Sequence, residues 1–204
     1  MLRKLIELRT AVACAKGREV CPPERLNAYW WQVEAGAARK VLLSPSGQRC
    51  ILEFLLPGEF FACHTDGRAD LVIEAIGDGT ILGRYDRADI ERLAREDGAI
   101  AEMVRDATVR AAFYMDNHIN NLWHQRSIDK VLLFLTEMQT RLGQAPDEFF
   151  SLPMSRHDMA DYLGLSIETV SRALTELKER GIIEFDGPRQ VKFAQPIDRG
   201  PRRR

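Results

Sequence analysis

In the segment "LSIETVSRALTELKERGIIE" (residues 165–184), Glu168 stands three residues before Ser171 and four before Arg172. At helical spacing these three side chains share one side. They offer a carboxylate that only accepts hydrogen bonds, a small hydroxyl, and a guanidinium that only donates. An arginine can donate two hydrogen bonds to the O6/N7 edge of guanine, and a carboxylate can accept from the N4 amino group of cytosine. A carboxylate is a poor choice for holding phosphates, so Glu168 points to base edges rather than to a sugar–phosphate backbone. Ser171 is small enough to allow close approach and to touch a neighbouring base. Ser155, His157, Ser166 and Thr169 lie nearby with groups suited to phosphate oxygens. As a merely solvated i, i+4 pair, Glu168 and Arg172 would contribute only about 0.3–0.5 kcal/mol.

Two helices must hold these groups. Ser155 can cap a helix running from about residue 156 to 163, with Asp158 three residues on completing a capping-box pattern. Ala160 falls where two crossing helices approach closely, and Gly164 fits a tight turn that needs positive φ. Ser166 caps the second helix, on which Val170, Ala173, Leu174 and Leu177 form the inward stripe. Ile167, Glu168, Ser171, Arg172 and Thr175 then face outward. Small, glycine and β-branched residues at these offsets predict a helix-turn-helix whose second helix enters a DNA major groove. Strands around residues 183–185 and 191–193, flanking an Asp186-Gly187-Pro188 turn, predict a hairpin wing.

The first ninety-six residues read as short strands punctuated by turns, which predicts an antiparallel β-barrel or sandwich. "YWWQVEAGAARKVLLSPSGQRCILEFLLPGEFF" reads as three strands separated by Ser-Pro-Ser-Gly and Pro-Gly turns, and "DLVIEAIGDGTILGRYDR" as two more. From about Asp97 the period becomes helical and continues to residue 124. Ile100, Val104, Ala107, Ala111, Tyr114 and His118 form one stripe; Thr108, Ala112, Met115, Ile119 and Leu122 form a second beside it. Two stripes predict two partners, the barrel and the same helix of another subunit. The first stripe is assigned to the dimer contact. A further helix follows, with Ser127 as its expected cap, and residues 125–204 make up the last domain. The fold class is therefore α+β: an N-terminal β domain (1–96), a dimerisation helix (97–124) and a winged helix-turn-helix (125–204).

Composition narrows the function classes. The chain is 45% hydrophobic and 29% charged with a net charge of −1, the profile of an ordinary globular protein. Residues 126–204 hold 13 Lys and Arg against 12 Asp and Glu, so nucleic-acid binding must come from local placement of charge. The closing Pro-Arg-Arg-Arg reads as a solvated basic tail. The opening "MLRKLIELRTAVACAKG" has no sustained apolar run and no small-residue cleavage site, and no apolar run is long enough to span a membrane, so a cytoplasmic protein is expected. Cys14, Cys21, Cys50 and Cys63 contain no CxxC spacing, which leaves free thiols rather than a zinc site. His64, His118, His124 and His157 are scattered with no nucleophile beside them, so no enzyme is expected.

Barrel, long helix and winged helix-turn-helix in this order resemble the CRP/FNR family of bacterial transcription regulators, over roughly residues 15–194. "DYLGLSIETVSRALTELKERGII" is the most specific stretch and is similar to the FNR/FixK-like branch. In that branch an E-xx-S-R pattern reads a TTGAT-type half-site, which the resemblance places on Glu168, Ser171 and Arg172. It further implies a homodimer on a palindrome, with RNA polymerase as a partner. The family's sensor residues do not carry over. Members that bind cyclic nucleotides use a Gly-Glu pair for the ribose and an Arg-Ser/Thr pair for the phosphate. After "LPGEFFACHTDGR" there is no second Gly-Glu; Ala69-Asp70 stands at the Arg-Ser position, with Arg68 one residue away, so cAMP is not expected. Members with an iron–sulfur cluster carry three closely spaced N-terminal cysteines; here there are two. "GEFFACHTD" resembles the segment of CO-sensing haem members that supplies a histidine ligand, and His64 falls at that offset with Cys63 adjacent. A haem-based gas sensor with His64 on the iron is thus one alternative, and a ligand-binding barrel regulating a partner protein is another. No cofactor is predicted, and the signal is left unassigned.

Overall fold

Residues 29–43 form two strands rather than the one their composition suggests. Gly36, at φ +70°, ends β2 (Tyr29–Ala35), and the chain continues as β3 (Ala38–Leu43) in a different sheet. Positive φ favours glycine, and the space demands it as well. A Cβ at position 36 would stand 2.7 Å from Thr80 Oγ1 and 2.8 Å from Thr80 Cα. The Thr80 residue is fully buried, with the Gly77 carbonyl oxygen 2.8 Å and the Ala37 carbonyl oxygen 3.2 Å from its hydroxyl, so it has little room to yield.

The computed structural model describes residues 2–44, 47, 49–63, 70–145 and 147–194. Contacts divide the chain into two units, Met1–Asn120 and Asn121–Arg204. The first opens with α1 (Leu2–Leu8) and β1 (Thr10–Cys14), followed by a 3-10 turn (Pro23–Ala28) ahead of β2. After β3 come β4 (Arg49–Leu55), β5 (Phe60–Ala62), β6 (Leu71–Ala75), β7 (Thr80–Asp86) and α2 (Arg87–Glu96). All pairings are antiparallel, in the orders β1-β7-β2-β5 and β4-β3-β6. The sheets are not closed into one barrel. They share a core instead.

Alternation along β2 shows how that core is made. Trp31 and Val33 point between the sheets and join Phe61 and Leu82 from their own sheet with Ala38, Leu55, Ile73 and Ala75 from the other. Trp30, one residue from Trp31, points the opposite way. It stacks on Phe60 at 5.0 Å between ring centroids, and Tyr85 completes an aromatic floor. Helices cover this floor through Leu5 and Leu8 of α1, Ile90 of α2, and Met103, Val104 and Ala107 of α3 (Gly98–Trp123).

That covering corrects the assignment of the two stripes on α3. Ile100 (0% exposed), Ala107 (5%) and His118 (8%) are buried within the protomer, and His118 Nδ1 lies 3.2 Å from the Leu52 carbonyl oxygen. Val104 packs on the same aromatic floor, while Tyr114 is half-buried and Ala111 exposed. The stripe assigned to a second subunit is thus mainly the protomer's own seat for the helix. The bare apolar side is the neighbouring one: Val109, Phe113 (56% exposed), Met115 (60%), Ile119 (50%) and Leu122.

In the second unit α4 (Ser127–Arg141) begins with Ser127 as its first helical residue. Arg126 holds the cap position, and no side chain caps the end, so Ser127 is not the cap expected of it. Among the described residues no helix is long and apolar enough to cross a membrane.

Candidate nucleic-acid interface

The helix-turn-helix is built from local signals. Ser155 Oγ accepts from the Asp158 N–H at 3.1 Å, and the Asp158 carboxylate accepts from the Ser155 N–H at 2.9 Å, closing a capping box that starts α5 (Arg156–Leu163). Gly164, at φ +63° and ψ +40°, ends α5, and the N–H groups of Gly164 and Leu165 both reach the Ala160 carbonyl. Ser166 then caps α6 (Ile167–Glu179) by accepting from the Thr169 N–H at 3.2 Å. Ala160, Leu163, Val170, Ala173, Leu174 and Leu177 are all buried, so the apolar stripe of α6 is fully used against its own unit. Burying four such α6 side chains is worth several kcal/mol, at about 1.5–3 each for the large ones.

Behind α6, β9 (Ile183–Asp186) and β10 (Gln190–Phe193) form the expected hairpin around Gly187 at φ +78°. A two-residue strand β8 (Phe150–Ser151) adds to the other edge of β10. Arg189, in the hairpin loop, is exposed.

On the outer side, Glu168, Arg172 and Thr175 are exposed and Ser171 is half-buried. A shallow, open concavity runs along Ser171, Arg172, Thr175, Glu176 and Glu179. Its character changes along the helix: Ser171, Arg172 and Thr175 supply donors toward the N-terminal half, and Glu176 and Glu179 place carboxylates at the C-terminal end. The Glu168 carboxyl is held below its usual range by its own backbone N–H, then by the Ser166 hydroxyl and by Arg172. It is therefore an ionised acceptor at neutral pH.

The sequence-predicted site residues separate into groups. Glu168, Ser171, Arg172, Ser166 and Thr169 come together on the first two turns of α6. Ser155 and His157 lie at the start of α5, where Ser155 gives its hydroxyl proton to Asp158 and its lone pair to the cap. His157 is exposed, with Nε2 3.8 Å from Asp161 Oδ2. Arg156 was not among the candidates, yet its Nη1 reaches Ser171 Oγ at 3.5 Å, bringing a cation from α5 onto the base-reading side. A basic first helical residue directly after a capping serine was the available signal. His64, the candidate haem ligand, lies outside the described residues, as do Arg68, Ala69 and the Pro-Arg-Arg-Arg tail. Cys14 and Cys63 are buried in the sheet core with Cys21 against it, whereas Cys50 is exposed. Among the described residues no group of three or more His, Cys, Asp or Glu could hold a metal.

Comparison with known proteins agrees with this geometry. The Crp-like helix-turn-helix domain matches residues 129–196. The chain is 35% identical over 180 residues to the nitrogen fixation regulation protein FixK of Rhizobium meliloti, covering 88% of this chain and 81% of that one. FixK of Bradyrhizobium diazoefficiens is 33% identical over 184 residues, 89% of this chain and 77% of the relative. The structure of FixK2 from Bradyrhizobium japonicum matches with a TM-score of 0.81 and 34% identity, covering 92% of this chain and 93% of that chain.

Proposed function

This chain belongs to the CRP/FNR family of transcription regulators, in its FixK branch, and from that premise we propose that it binds a TTGAT-type palindrome as a homodimer. The family is one of DNA-binding regulators rather than enzymes. In the proposed complex Arg172 donates its fork to a guanine, Glu168 accepts from a cytosine amino group, and Ser171 contacts a neighbouring base. The first turns of α5 and α6, carrying Ser155, His157, Ser166 and Thr169, lie along the sugar–phosphate backbone. Two-fold symmetry sets the half-sites about one helical turn, ~34–36 Å, apart. The bare side of α3 pairs with its copy, and exposed loops touch RNA polymerase at the promoter.

One observation carries this reading. An acceptor-only and a donor-only side chain stand exposed on the opening turns of a helix whose apolar stripe is fully buried elsewhere. Core packing needs neither of them. Fluorescence anisotropy with a TTGAT palindrome and single-base-pair variants provides the test. Arg172→Ala or Glu168→Ala should cost about 1–3 kcal/mol on the palindrome and flatten preference at one position. An Arg172→Ala protein that binds the palindrome as tightly as the parent contradicts the assignment.

A further inference from the structure

Two hydroxyls tie the base-reading cation to the start of its own helix. Arg172 Nη2 donates to Thr169 Oγ1 at 3.4 Å. Thr169 Oγ1 and Ser166 Oγ are 2.9 Å apart, and Ser166 Oγ also accepts the Thr169 backbone N–H at 3.2 Å. Each hydroxyl has a single proton and two lone pairs. Either hydroxyl can donate the 2.9 Å bond, and in both orders Thr169 Oγ1 keeps a lone pair for the Arg172 N–H. Arg172 is thereby tied through Thr169 to the serine that caps its own helix. Successive hydrogen bonds of this kind polarise one another and strengthen.

We propose that Thr169, held by Ser166, is a positioning residue for sequence discrimination, keeping Arg172 in a fixed orientation before DNA arrives. The proposal rests on the reading of Glu168 and Arg172 as base contacts. The benefit is entropic: a long arginine side chain already held on one edge loses less rotamer freedom when its remaining N–H groups meet a base. The cap bond joins the two roles, because the serine that starts α6 also holds the hydroxyl that meets Arg172.

Thr169→Val is the informative variant. It keeps shape, β-branching and the backbone N–H that Ser166 caps, and removes only the hydroxyl. Full-length parent, Thr169→Val, Thr169→Ser and Arg172→Ala are titrated by anisotropy against the TTGAT palindrome, a duplex with the guanine pair changed, and a scrambled duplex. Thermal denaturation of each variant checks folding, and Thr169→Ala serves as a second hydroxyl deletion. In the hydroxyl deletions, discrimination at the guanine pair should fall roughly fivefold, with scrambled-duplex affinity changing by less than about twofold, while Thr169→Ser restores the parent ratio. Equal weakening on all three duplexes overturns the proposal in favour of a phosphate contact, and unchanged discrimination overturns it outright. If Arg172→Ala keeps full discrimination, base reading itself fails. If Arg172→Ala loses it while Thr169→Val does not, only the positioning role fails.

Discussion

Replacing Ile119 tests whether the bare side of α3 is the dimer contact. Full burial of an isoleucine contributes about 1.5–3 kcal/mol. Ile119 is 50% exposed in the protomer, so covering the remainder is worth roughly 1 kcal/mol. A two-fold contact counts each residue twice. Ile119→Ala should therefore weaken dimerisation by about 2 kcal/mol, some thirtyfold in Kd. Ile119→Asp should lose more, because it brings two carboxylates into one apolar contact. Sedimentation velocity across a dilution series reads the dimer directly, and anisotropy on duplexes with one or two half-sites reads its consequence. Ile100→Ala is the contrasting variant: Ile100 is fully buried, so its loss should cost about 2–5 kcal/mol of folding stability with little change in dimer Kd. An Ile119→Asp protein that remains dimeric at parental concentrations refutes this choice of face.

Three further outcomes follow from the first unit. Gly36→Ala should destabilise by about 2–4 kcal/mol, from positive φ together with the clash on Thr80; Gly58→Ala, also at positive φ but in open space, should cost only about 1–2 kcal/mol in urea denaturation. The Arg9 side chain donates to Glu34 and holds its carboxyl below the usual range. The stability this pair contributes is complete above the ordinary carboxylate pKa of about 4.3 and is lost as pH falls through the lower folded value. Glu34→Gln should therefore flatten the acid limb of Tm between about pH 5 and 3. Burial pushes the Cys21 and Cys63 thiols up to about 11, leaving a thiolate fraction of about one in a thousand at pH 8. Brief N-ethylmaleimide treatment and peptide mass spectrometry should label Cys50 first, and faster labelling of Cys63 would contradict that.

Legibility in the sequence depended on the range of the determining contacts. Ser155, Gly164 and Ser166 act within four or five residues of themselves, so the boundaries of α5 and the start of α6 could be read directly. Gly36 was harder to interpret, because the atom that forbids a side chain there belongs to Thr80, 44 positions away. The 3-10 turn and β1 carry few large apolar residues and owe their places to pairing with β7 and to packing on the sheet core. The two stripes of α3 are equivalent by spacing alone. Only the aromatic floor of Trp30, Phe60 and Tyr85 decides which of them is covered. The contacts joining Arg172, Thr169 and Ser166 were within reach of sequence, since all three residues lie within six positions. Their distances needed the structure.

Selection of bound duplexes from a randomised pool by the full-length protein tests the base-reading assignment most directly. The enriched set should contain two inverted TTGAT-type half-sites with centres one helical turn apart, and Arg172→Ala should lose preference at the guanine. Enrichment of a single asymmetric site, absence of any enriched sequence, or an unchanged motif from Arg172→Ala would contradict it.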